Sequence, residues 1–130
     1  MRYDRMRPHQ VQAAIAAVHA EASTAAETDW AEIVGLYDVL QRHWPSAVVE
    51  LNRAVALAKR DGPEVGLREV EGILARGELL DYHLAHAARA ELHCQLGQVD
   101  AARAAWQQAL ALTRQAPERR HIERRLQAIE

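Results

Sequence analysis

Apolar residues recur along this chain at spacings of three and four almost from end to end, the period of a helix face rather than of a strand. Val11, Ala14, Ile15 and Val18 make the first such stripe, in a helix expected from about Pro8 to Ala22. Ser23 to Thr28 is a loop of polar and small residues. Asp29 with Glu32 three residues on is a capping-box pattern. It opens a second helix with Trp30, Ile33, Val34, Tyr37 and Leu40 on one face, ended near Trp44 by Pro45. Ser46 caps a third helix through about Arg60, whose apolar residues Val48, Val49, Leu51, Val55 and Leu57 run nearly all the way round. That distribution marks a helix packed between neighbours. Asp61-Gly62-Pro63 stops this helix and starts a fourth, to about Arg76. After a break from Gly77 to Asp81, a fifth helix spans about Tyr82 to Leu96 and a sixth about Val99 to Gln115. Pro117 opens a seventh, apolar at Ile122, Leu126 and Ile129 and charged elsewhere.

The stretch from Gly97 to Leu110 has the turn and second helix of a tetratricopeptide (TPR) unit, with small, large and small residues (Ala102, Trp106, Ala109) on one face. Small residues at a crossing let two helix backbones approach, and the Trp fills the space beside them. Gly62 and Gly97 lie 35 residues apart, near the TPR period of about 34, which sets Leu67 and Leu74 against Ala102 and Ala109. Tyr37, Leu40 and Pro45 fit an earlier, looser repeat. The expected fold is all-α: a TPR-like right-handed superhelix of three helix pairs plus a C-terminal capping helix. Residues 8–130 form a single domain in this reading, and residues 1–7 a linker or disordered N-terminus.

With no Phe and only 5% aromatic residues, the core must be built from Ala, Leu, Val and Ile, which suits closely packed helices. The net charge of -2 hides an uneven spread. Between residues 21 and 100 acidic side chains outnumber basic ones two to one, while both ends are mildly basic. A nucleic-acid reader needs a continuous basic face. The arginines of the last helix (Arg119, Arg120, Arg124, Arg125) are interleaved with Glu118 and Glu123, so they read as a solvated face and no direct nucleic-acid contact is expected. Cys94 is the one cysteine, so no internal disulfide can form. Neither a signal peptide nor a membrane span is visible, which makes the cytoplasm the expected location.

Seven histidines raise the question of a metal. His83, His86 and His93 share the fifth helix, and His86 and His93 fall on one face, but there is no HExxH and Cys94 is out of phase with His93. No metal, cofactor or catalytic residue is expected, since Ser23 and Ser46 read as loop and cap, Cys94 as a small core residue, and the glycines fall singly rather than in a phosphate loop. The open surface of stacked helix pairs offers more. Asn52 and Arg53 interrupt an apolar helix, and burying either without a partner costs a few kcal/mol. His86 and Arg89 hold similar stations in the next pair, Gln12 and His19 in the one before. One reading makes Gln12, His19, Asn52, Arg53, His86 and Arg89 a polar strip that hydrogen-bonds a peptide or another domain. The competing reading makes them internal hydrogen bonds that fix helix register.

Several runs resemble a C-terminal extension found on one group of extracytoplasmic-function (ECF) RNA polymerase sigma factors: the segment from Val11 to Ala22, Thr28-Asp29-Trp30, Leu51 to Ala56, Asp61-Gly62-Pro63, Tyr82 to Ala90 and Glu118-Arg119-Arg120. The likeness extends from about Pro8 to Glu130. It implies a non-catalytic domain that regulates a sigma factor through protein contact. Its partners would be the sigma regions in cis or trans, RNA polymerase, or another regulatory protein. A length of 130 residues leaves no room for the sigma regions themselves, so an excised domain or a stand-alone relative is expected, and no promoter-reading residue carries over. Two alternatives from other classes stay open: a small-molecule-sensing helical domain, and a structural module that forms a homodimer.

Overall fold

The computed structural model describes residues 7–21 and 28–129. Most of the N-terminal linker expected over residues 1–7, the end of the first helix at Ala22, nearly all of the loop from Ser23 to Thr28, and Glu130 lie outside the described residues. Within them the chain is all-α: α1 (Pro8–Glu21), α2 (Trp30–His43), α3 (Ala47–Asp61), α4 (Pro63–Ala75), α5 (His83–Gln95), α6 (Val99–Leu112) and α7 (Ala116–Ala128).

The boundaries follow local chemistry. Asp29 Oδ1 accepts from the Glu32 amide at 3.0 Å and Ser46 Oγ from the Val48 amide at 3.2 Å; each cap satisfies an amide that the first turn leaves free. After α5, Gly97 takes a positive φ of 73°. Its amide bonds the Cys94 carbonyl at 3.0 Å, and the Gln98 amide bonds the His93 carbonyl at 2.9 Å, the paired bonds of a Schellman ending. At Gly62 (φ 110°) the chain instead passes straight into Pro63 at the first turn of α4.

Each helix packs mainly on its chain neighbours, and α3 also meets α5. The pairs α1/α2, α3/α4 and α5/α6 therefore stack in series with α7 at the end. The interior divides accordingly into three small cores. Val11, Ile15, Ile33, Leu36, Leu40 and Leu57 belong to the first; Leu51, Ala54, Val70, Ile73 and Leu92 to the second; Ala90, Ala102, Trp106, Ala109 and Ile122 to the third. Trp106 is 1% exposed between Ala102 and Ala109, the small-large-small face expected of it.

The repeat register differs by one residue from the spacing of the turn glycines. The buried residues of α4 are Gly66, Val70 and Ile73, and those at the same stations of α6 are Ala102, Trp106 and Ala109, an offset of 36. Leu67 and Leu74 are half-buried and match other positions. The cause lies in the turns: α4 starts one residue after Gly62, whereas α6 starts two after Gly97.

Candidate binding groove

Arg53, Arg89 and Arg125 occupy one station on α3, α5 and α7, at intervals of 36 residues. In the first two cases the guanidinium reaches back to the helix before it. Arg53 Nε bonds Asp38 Oδ1 of α2 at 2.5 Å, and Arg89 Nε bonds Glu71 Oε1 of α4 at 2.5 Å. These are equivalent joints between successive helix pairs, built from charge-assisted bonds that also fix orientation. At the third joint Gln107 stands where the acid would be. Arg125 turns instead to Glu91 of α5, with Nε–Oε1 at 2.7 Å, and lies over the Trp106 ring at 5.7 Å.

Two of the three histidines of α5 are also tied down. His86 is buried at 6% exposure, and its Nε2 is 2.8 Å from the Leu80 carbonyl, which makes that nitrogen the donor. His93 Nδ1 is 2.7 Å from Gln98 Oε1, and its Nε2 faces Glu71 Oε1 at 3.6 Å. Among the described residues no group of three His, Cys, Asp or Glu side chains is placed to hold a metal ion. Cys94 is a free, half-buried thiol beside the third core.

The six polar residues singled out from the sequence are thus not brought together as one strip. Arg53 and Arg89 serve the joints, and His86 is inside. Gln12 and His19 are exposed on α1, where the His19 ring meets Trp30 edge-on at 5.2 Å. Asn52 alone of the six is exposed on the outer side of α3.

Large apolar residues are also uncovered on α3, on α5 and just before each of them. Trp44, Val48, Val55, Leu80 and Leu84 are all large and exposed, from 36% to 50%. Trp44 and Leu80 are 36 residues apart, as are Val48 and Leu84, so the same two stations are uncovered in successive repeats. Sequence reasoning passed over this row, although the all-round apolarity of α3 signalled it. A cleft of about 240 Å³ between α3 and α5 is lined by Val55, Lys59, Ala88, Glu91 and Gln95. A neighbouring one of about 230 Å³ between α5 and α7 is lined by His83, Leu84, Pro117, Glu118 and His121. Sharing α5, the two form one open face across α3, α5 and α7.

Titration behaviour follows local contacts. Burial pushes the Tyr37 phenol up. The hydrogen bond from Arg60 holds the Asp61 carboxyl down. Glu50 and Glu78 push the Arg76 guanidinium up, and the Glu50 bond, 2.7 Å to Arg76 Nη2, ties the start of α3 to the end of α4. No described helix is long and apolar enough to cross a membrane.

A protein of Rhizobium meliloti (strain 1021), itself described as uncharacterized, is 48% identical over 126 residues. The match covers 97% of this chain but 29% of that protein's length. No family model matches the chain, and no solved structure matches it.

Proposed function

We propose that this chain is a non-catalytic, protein-binding regulatory domain that acts on an ECF-type sigma factor, in cis or in trans, from its open face. The observation that carries the reading is the repeated row of uncovered apolar side chains, Trp44, Val48, Leu80 and Leu84, at two stations of consecutive helix pairs. Isolated exposed apolar residues are ordinary on a surface, but a contiguous set marks a contact site. Arg53 and Arg89 are engaged in joining the helix pairs and His86 is bonded inside, which leaves the apolar row to do the binding. Sequence words shared with the ECF sigma-factor extension supply the class of partner: sigma regions, RNA polymerase or another transcription regulator. The relative's much greater length is in keeping with a domain that works beside other regions. The reading places the protein in the bacterial cytoplasm.

The test is transcription by RNA polymerase with an ECF sigma factor of this group, truncated before its extension, with this chain added in trans. The expected result is a change in promoter-directed transcript that Leu84→Asp with Val48→Asp abolishes while circular dichroism stays helical. Unchanged transcription and no co-purification with the truncated factor would overturn the proposal. The α5–α7 cleft, roomy enough for a small ligand, favours small-molecule sensing as a second reading; thermal-shift screening with metabolite pools tests it.

A further inference from the structure

We propose that the occupant of the open face is an amphipathic helix, apolar where it lies on α3 and α5 and acidic at the end that reaches α7. This rests on the reading of that face as a docking groove. The repeat offset of 36 places Val48, Leu84 and Arg120 at one station of α3, α5 and α7, and Asn52, Ala88 and Arg124 at the station one turn on. The row therefore begins apolar and ends in two guanidinium groups. Arg120 and Arg124 are exposed. Arg119 and Arg125 of the same helix are engaged, with the Leu110 and Thr113 carbonyls and with Glu91, whereas no ion pair joins Arg120 or Arg124 to any acid among the described residues. A guanidinium without a carboxylate of its own is the group that best recognises one on a partner.

Spacing selects a helix. Neighbouring helices in a stack lie about 10 Å apart. A partner helix laid across them returns the same face every two turns, about 10.5 Å, so residues seven apart meet Val48 and Leu84, and the next such residue meets Arg120. A strand covers about 10 Å in three residues, which turns its side chain to the opposite face.

The experiment is selection of a displayed library of amphipathic helical peptides on the immobilised full chain, followed by fluorescence polarisation of the enriched peptides. Enriched peptides should carry Leu, Ile or Met seven residues apart and Asp or Glu clustered at one end. Arg120→Glu with Arg124→Glu should weaken their binding about tenfold or more, with a strong dependence on salt, while thermal unfolding of the variant matches the parent. Uncharged or basic peptides that Leu84→Asp releases and the arginine reversals leave alone would overturn the acidic-helix inference and leave the groove standing. No enrichment on the folded chain would overturn both.

Discussion

Replacing Gly66 with alanine tests the close approach of α4 to α3. An added Cβ there would stand 2.4 Å from Ala58 Cβ and 2.9 Å from the Ala54 carbonyl oxygen. Carbon atoms pack at about 3.5–4.0 Å, and neither neighbour is a side chain that can swing aside, so α4 must retreat from α3 by about an ångström. That opens the second core, where Leu51, Ala54, Val70 and Ile73 meet. Overpacking of this kind costs about 1–3 kcal/mol, and more where backbone must move. Against it stands the gain of about 1 kcal/mol that alanine brings over glycine inside a helix. The clash wins, with an expected net loss of about 2 kcal/mol. In a domain of this size that lowers Tm by about 6–10 °C. Gly72 is the internal control: it lies in the same helix with nothing within 4 Å of an added Cβ. Gly72→Ala should raise Tm by about 3–5 °C, having the propensity gain and no clash. Thermal and urea unfolding followed by circular dichroism measure both. A further check is Ala58→Gly combined with Gly66→Ala, which should be less destabilised than the two single changes together. Gly66→Ala as stable as the parent would refute the close crossing of α3 and α4.

Three other outcomes follow from named contacts. Trp106→Ala should remove about 3–5 kcal/mol by emptying the third core, so that the far-UV signal melts in a broader or earlier transition; full stability in urea would contradict the burial of that ring. A double-mutant cycle on Asp38 and Arg53, with alanine at each, should give a coupling of no more than about 1 kcal/mol, because both side chains keep substantial contact with solvent; peptide binding at the open face should survive Arg53→Ala, and its loss would restore Arg53 as a contact residue. Burial raises the Tyr37 pKa. Its contribution is therefore present below the unfolded value of about 10 and is lost as pH rises through the folded value, so Tyr37→Phe should hold the fold to higher pH in an alkaline melt, and identical alkaline melts would refute the assignment.

The helices and their ends were legible because their signals are local: Asp29, Ser46, Pro45 and Pro63 act within a few residues of where they sit. The repeat register was legible only to within one residue, since Gly62 and Gly97 end their helices in different ways and the next helix begins one residue later after Gly97. The roles of Arg53 and Arg89 were not legible. Their carboxylates, Asp38 and Glu71, lie 15 and 18 residues away on other helices, and helical periodicity says nothing about which helix a polar face will meet. A polar residue in an apolar helix signals a partner without saying whether the partner is internal. The uncovered row could have been found from the 36-residue spacing of Trp44 with Leu80 and of Val48 with Leu84, once the register was corrected.

The division of the interior into three small cores has a mechanical consequence. A change at Val11 and a change at Ile122 share no buried neighbour, so each helix pair answers mainly to the pairs beside it, and the stack behaves as a short chain of links. The weakest link then opens first, and the ends breathe independently. A ligand that spans α3, α5 and α7 touches three links at once, where each core couples only the pairs beside it. Its arrival would weld them, turning sequential melting into one concerted transition, and the sharpness of unfolding would become a reporter of occupancy.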